Sequence, residues 1–391
     1  MRLTCCFLAV CLLPASAIAS SGEVHRLAEQ FDQRFRAVLA QEHIPGGAYA
    51  VVYNGMPIRV GVAGTADMRT GRPVDPDTIF RVGSVSKGFA ATVAGLLARE
   101  GRFAWSDPIA RYVPDFHFRG NPRAISIGDV VGQSTGFIPH AYDNLLEAGK
   151  PLREIWRHFA TLAPICQPGS CYTYQNSAFG LIEPVLEQSA KEPYTKLIDD
   201  RLFKPLGMSD ASTGYGAYWG SSDRAAPHVE VRQKRWRAVT VEPNYYAVNS
   251  AAGVNASIKD MAEWAIAALG HRPDVLPPAV LNRVMTPRVH TERELHRKHW
   301  RDCLDNAWYG LGWRIYQLGD EELVYHAGWV QGFVAEIALS RRHDLGLVIL
   351  LNGESNAISE LGSQFWPHAF EVLDRPVVAG GPNTTAASAV P

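Results

Sequence analysis

The sequence has no basic surplus: 38 lysines and arginines face 39 aspartates and glutamates. A chain that displaces counterions from phosphates needs such a surplus, and no stretch interleaves aromatics with a dense basic run, so nucleic acid is not an expected partner. Long apolar runs are also missing. The stretch from Leu3 to Leu13 falls short of the roughly 18 residues a spanning helix needs, so no stable membrane anchor is expected. Internal repeats are absent, which argues against a solenoid or propeller. Cysteine is scarce, six in 391 residues, and Cys5, Cys6 and Cys11 all lie within the apolar amino-terminal stretch. What is present is a globular composition, 47% hydrophobic and 20% charged, enough to bury one large core or two moderate ones.

Arg2, the apolar run and Ala17-Ile18-Ala19 read as a secretory signal cleaved after residue 19. Cys11 follows Leu8-Ala9-Val10 rather than a small residue, so lipidation is not expected. Cleavage leaves Cys166, Cys171 and Cys303 in a disulfide-permissive compartment. "CQPGSC" encloses the turn pair Pro168-Gly169, and a small Cys166–Cys171 loop is the preferred reading over two free buried thiols.

Val24, Leu27, Phe31, Phe35, Val38 and Leu39 recur at helical spacing between Ser20 and His43, with Ser20 and Glu23 as a capping box. "GGAYAVVYNGMPIRVGVAG" alternates around Asn54-Gly55 and predicts a hairpin. Phe89, Val93, Leu96 and Leu97 mark one face of a helix after Ser84, ended by Gly101. Residues 85 to 250 read as helical fragments and Pro/Gly-rich loops. From 312 to 353 four strands are expected, broken at Gly319-Asp320, between Gly328 and Gly332, and from Arg341 to Asp344, followed by a helix from Ile358 to Leu373. The layout is α+β: an antiparallel sheet packed by terminal helices, with a mainly helical insertion. The α/β part is expected at about 20–83 and 250–375, the helical part at about 84–249, and a disordered tail at 376–391.

Ser84 and Lys87 stand three residues apart at the opening of that helix, so their polar ends can meet. A partly desolvated lysine beside a serine lowers the cost of removing the hydroxyl proton. Alone, the pair is a capping serine and a solvated lysine. Two further motifs follow in order: Tyr174-Gln175-Asn176, and His326-Ala327-Gly328 on an expected strand. With "IPGGAYAVV", "DPDTIFRVGSVSKGFAAT", "ISIGDVVGQSTGF", "AAGVNASIKDMAEWA" and "YGLGWRIY", the stretch from about Ile44 to Asn356 resembles the penicillin-recognising serine hydrolases, in particular the class C β-lactamase, D-Ala-D-Ala carboxypeptidase and esterase group.

That resemblance implies the β-lactamase/penicillin-binding, transpeptidase-like fold and a periplasmic enzyme in which Ser84 forms an acyl-enzyme. Tyr174, its phenol acidified by Lys87, would relay the proton. Asn176 would hold the substrate amide and the lysine amine. The amides of Ser84 and Trp329 would form the oxyanion hole, with Gly328 admitting the substrate close to the strand. No cofactor is required for this chemistry, and a monomer acting on a small-molecule β-lactam, peptide or ester is expected. A class C-like β-lactamase is the leading reading; a carboxylesterase, a D-amino-acid peptidase or a slow penicillin-binding sensor are the alternatives.

The sequence departs from the family where Lys-Thr-Gly is typical. Ala327 supplies no hydroxyl, and His326 is largely neutral at pH 7 unless a neighbour raises its pKa, so one hydrogen bond and part of a charge are missing; were the charge to matter, carboxylate affinity would improve as pH falls. Pro184 should kink the helix after Asn176, and Glu360 at the start of the last helix does not suit a carboxylate-binding rim. Outside the pattern, "VHTERELHRKHWRDC" carries His290, His296, His299 and Cys303; on a helix the last three share a face and could hold zinc. The neighbouring Arg297, Lys298 and Arg301 favour a solvated basic segment instead.

Overall fold

The computed structural model describes residues 21–374 except Pro122, so the leader, Ser20 and the tail at 376–391 lie outside the described residues. Its framework is a nine-stranded antiparallel sheet. In chain order the strands are β1 (Gly46–Tyr53), β2 (Met56–Asp67), β3 (Arg72–Pro73), β4 (Val289–His290), β5 (Asn306–Tyr309), β6 (Arg314–Leu318), β7 (Glu321–Val330), β8 (Phe333–Ser340) and β9 (Leu345–Leu351). Their spatial order is β3-β2-β1-β9-β8-β7-β6-β5-β4. The last strand therefore inserts beside the first, with Tyr49 opposite Ile349 and Ala50 opposite Val348.

The helices that concern the site are α1 (Ser21–Gln41), α2 (Ser86–Arg99), α3 (Ile182–Ala190), α4 (Ile258–Ile266), α5 (Pro278–Met285) and α6 (Ala357–Leu373). The period-two alternation of β1 sorts its side chains between two cores. Tyr49 and Val51 face α1 and α6, among Phe31, Phe35 and Trp366. Ala48, Ala50 and Val52 face the helical side, where Phe89 of α2 stacks on Trp264 of α4 at 4.0 Å. With both faces covered, every residue of β1 is buried. The second core runs without interruption from the sheet into the helical insertion, joining Ala48 and Val52 to Phe89, Phe179 and Val248.

Local chemistry accounts for most boundaries. Asn54 and Gly55 both take positive φ, which a tight hairpin turn demands. α1 is tied to the sheet by Asp32, which accepts from Tyr49 Oη at 2.8 Å and pairs with Arg36 and Arg59. Three expectations need adjustment. β7 continues through Gly328 to Val330, and the break falls at Gln331-Gly332. Pro184 lies in the first turn of α3, where its missing N–H costs no helical bond, so it starts the helix instead of kinking it. Glu360 is held by Arg34 of α1 and ties the terminal helices together.

Candidate active site

The segment Val82–Lys87 is where the sheet meets the helical side. Gly83–Val85 forms one 3-10 turn and α2 follows from Ser86, so Ser84 precedes the α-helix by two residues. Two glycines let this turn press against β7. Gly83 has φ +52°, and a Cβ there would stand 2.9 Å from the Trp329 amide nitrogen. A Cβ on Gly328 would lie 1.9 Å from Val82 O and 3.0 Å from the Ser84 nitrogen. Backbone thus meets backbone, and the amides of Ser84 and Trp329 come to one wall of a cleft of about 830 Å³.

Lys87 is fully buried at the second position of α2, and its ammonium has three acceptors: Ser84 Oγ at 3.1 Å, Asn176 Oδ1 at 2.7 Å and Ala251 O at 3.2 Å. Three N–H donors are thereby matched one to one. Burial lowers the lysine pKa, Arg314 adds to that, and Tyr174 and Asp143 oppose it. Asn176 is fixed from its other end, where Nδ2 donates to Asp143 Oδ2 at 2.7 Å.

Tyr174 reaches the same point on a strap between the cystine and α3. Its ring stands beside the Lys87 ammonium. Burial pushes its pKa up, but the Lys87 and Arg314 charges outweigh burial and hold the phenol below its ordinary value. The strap is held by Gln133, whose side chain donates to Gln175 O at 2.9 Å and accepts from Gln175 N at 2.6 Å. Cys166 and Cys171 are joined just before it, with Cα atoms 6.4 Å apart, and Gly169 between them donates to Ser134 O at 2.7 Å.

The third motif carries no neighbour that would charge its histidine. His326 is buried, with Nδ1 donating to Ala327 O at 2.8 Å and Nε2 left to accept from Tyr309 Oη at 3.2 Å and Arg314 Nη1 at 3.3 Å. Burial, then the charges of Arg314 and Lys87, hold its pKa well below the usual histidine value, so it is neutral and adds no charge to the third motif. Arg314 of β6 carries the charge instead. It forms a buried ion pair with Glu294 at 3.1 Å. Burial opposes ionisation of Glu294, yet Arg314 and Arg297 bring its pKa down to about 2. Arg297 in turn reaches Tyr316 Oη at 3.1 Å and Tyr325 Oη at 3.2 Å. Arg293, Arg297 and Arg314 all border the cleft, and so do Ala327, Gly328 and the half-exposed Trp329.

Ser84, Lys87, Tyr174, Asn176, Gly328 and the Trp329 amide are therefore brought together, with His326 behind them. His296, His299 and Cys303 are not. The helix that would align them does not form: a 3-10 segment ends at His296, and turns follow as Trp300 buries against the sheet and the half-buried Arg297 reaches Tyr316 and Tyr325. His296 borders the cleft, whereas Cys303 donates to Trp300 O. Among the described residues, the group whose potential metal-ligating atoms gather within 4.8 Å is Glu321, His343 and Asp374, none of which borders the cleft. The residues missed in the sequence are Asp143, Glu294, Arg297 and Arg314. Arg314 stood within "YGLGWRIY", and Glu294 and Arg297 within "VHTERELHRKHWRDC", where Arg297 read as part of a solvated basic segment.

The β-lactamase family model matches residues 31–361. The unguisins hydrolase ungD' of Aspergillus campestris is 28% identical over 337 residues, covering 80% of this chain and 60% of that protein. Protein flp of Staphylococcus aureus strain COL is 24% identical over 366 residues, 92% of this chain and 68% of flp. In structure, the octameric penicillin-binding protein homologue from Pyrococcus abyssi superposes with a TM-score of 0.77 at 18% identity, covering 89% of this chain and 78% of that one. This chain thus spans about three fifths of the length of the fungal hydrolase. A family match over most of the described residues, on a fold that gathers serine, lysine and tyrosine, makes the chain a member of the β-lactamase family.

Proposed function

We propose that the protein hydrolyses a carboxylate-bearing amide through an acyl-enzyme on Ser84, with β-lactams as the leading substrates. The observation that carries this reading is the saturation of the Lys87 ammonium by Ser84, Asn176 and Ala251 beside an acidified Tyr174. With its N–H bonds all engaged, Lys87 is the cation that favours a phenolate. Tyr174 is then the base that takes the Ser84 proton as Oγ attacks the carbonyl, and the acid that returns it to the leaving nitrogen. Charge gathering on the carbonyl oxygen is met by the Ser84 and Trp329 amides. Water attacks the acyl-enzyme next, with Tyr174 again as base. Asn176 keeps one Nδ2 hydrogen free for the substrate amide. Arg314 and Arg297 give a substrate carboxylate guanidinium partners in place of the lysine typical of the third motif.

Ala327 favours a second reading. Without the hydroxyl, a carboxylate loses one hydrogen bond, worth about 1.5–3 kcal/mol when the acceptor is charged, and neutral esters or D-amino-acid peptides compete better. The relative described as an unguisins hydrolase supports keeping this alternative. Export through the cleaved leader to a periplasm, and action as a monomer, belong to the same proposal. The test is a panel of chromogenic cephalosporin, carbapenem, D-Ala-D-Ala peptide and p-nitrophenyl ester, run with wild type and Ser84→Ala and followed by intact-protein mass spectrometry. Rapid lactam turnover with a transient adduct supports the β-lactamase reading, and ester or peptide turnover the second. A lasting adduct marks a penicillin-binding sensor, and activity in Ser84→Ala sinks the mechanism.

A further inference from the structure

The cleft beside Ser84 is not the end of the cavity system. A second cavity of about 390 Å³ adjoins it, and both are bordered by Tyr172, Tyr174 and Arg293. A drug-sized ligand is buried by a pocket of roughly 300–1,000 Å³, so the first cavity already accommodates a ligand of that size. The second is additional space, walled by Pro139, Cys171 and Val289.

Its lining is distinct from both main cores. Tyr174, Val289 and Tyr309 form a small apolar cluster of their own, with partly buried Tyr172 packed against it. The Tyr172 and Tyr309 rings lie 5.5 Å apart. Three of these four residues border the second cavity, which therefore offers aromatic and aliphatic surface directly beside the base Tyr174. Arg293 stands where the two cavities meet, with planar donors for a carbonyl on a chain passing from one to the other. Glu292 borders the second cavity as well and disfavours an anionic occupant there.

We infer that the second cavity is a subsite for a neutral apolar side chain or acyl extension, so that the preferred substrate is longer than the group that acylates Ser84 and runs past Tyr172. This rests on the acyl-enzyme reading and adds a substrate class to it: peptides or acyl compounds with an aromatic or branched aliphatic group on the far side of Arg293. The wall formed by Cys171 makes the disulfide loop part of that subsite.

The test uses two fluorophosphonates that differ only in their tail, methyl or 3-phenylpropyl, and reads the second-order rate of Ser84 modification. Wild type should react about tenfold faster with the phenylpropyl probe, the size expected for burying one apolar group. Ser170→Trp and His290→Trp, at exposed positions on the rim of the second cavity, should each bring the two rates within about twofold of one another, with the methyl probe as the internal control for folding. Equal rates in wild type, or a tail preference that survives both substitutions, would overturn the subsite while leaving the acyl-enzyme intact. If neither probe modifies Ser84, the acyl-enzyme reading falls and the subsite with it.

Discussion

The Arg314 guanidinium carbon lies 5.2 Å from the centre of the Tyr174 ring, and the Lys87 nitrogen lies 4.8 Å from the same point. One buried phenol is thereby flanked by two cations contributed by segments more than 200 residues apart. Arg314→Gln removes one of them, so the Tyr174 pKa rises and less phenolate is present at neutral pH. The rising limb of the acylation rate should move to higher pH by on the order of one unit, and Arg314→Lys should largely restore it. A limb that stays in place in Arg314→Gln removes Arg314 from the activation of Tyr174.

A neutral His326 has its own signature in substrate affinity. Carboxylate substrates bound by the non-acylating Ser84→Ala variant should show the same dependence of the dissociation constant on pH, from about 5.5 to 8, with His326 present or replaced by Gln, because His326 gains no charge. Calorimetry at several pH values measures this directly. Tightening at low pH that disappears with His326→Gln would give His326 a charge in binding.

Replacing Ala327 with threonine restores a hydroxyl facing the cleft. The ratio of lactam to ester kcat/KM should rise about tenfold, the lower end of what a hydrogen bond to a charged group supports. An unchanged ratio would show that selectivity lies elsewhere, with the three arginines as the next candidates.

Glu336 tests the interior of the sheet. Burial pushes its pKa up to about 7 against the hydrogen bond from Tyr325 Oη at 2.8 Å, and its Oε1 has no hydrogen-bond partner. The folded protein thus binds a proton more tightly than the unfolded chain, whose carboxyl has its ordinary value of 4.5. Stability is greatest below about pH 4.5 on this account, falls as pH rises to about 7, and is flat above; the loss is about 3 kcal/mol. Glu336→Gln should cancel it, gaining about that much on wild type between pH 4.5 and 8 in urea melts.

Chelation bears on the basic segment. Dialysis against EDTA, followed by zinc, should leave kcat/KM unchanged, since the chemistry is assigned to Ser84, Lys87 and Tyr174 and the structure does not gather His296, His299 and Cys303. A loss reversed by zinc and absent from their alanine variants would restore a metal to the mechanism.

What could be read in the sequence was whatever depends on near neighbours. Asn54-Gly55 requires positive φ and marks its hairpin unaided, and Ser84 with Lys87 share a face through helical spacing alone. Arg314 was out of reach because its importance comes from sheet register: it pairs with Tyr325 across β6 and β7, which brings it next to His326. The depth of His326 was out of reach because alternation assigns a face and not its depth, and here both faces of the sheet are covered. The 296–303 segment misled because helical spacing was applied to a stretch in which Trp300 and Arg297 have better partners in the sheet, among them the Tyr316 and Tyr325 rings.

The insertion of β9 between β1 and β8 has a consequence for the order of events during synthesis. β1, β2 and β3 are made first, but among the described residues the sheet joins them to the later strands through residues 345–351, near the end of the described chain. Ser84 leaves the ribosome some 245 residues before Trp329, whose amide completes the wall opposite its carbonyl target. Contacts this distant along the chain are costly to close and slow to form. A nascent or carboxyl-terminally clipped chain therefore carries Ser84, the proposed nucleophile, without the framework that positions it. Hydrolytic competence should arrive in a single late step, when the final strand docks.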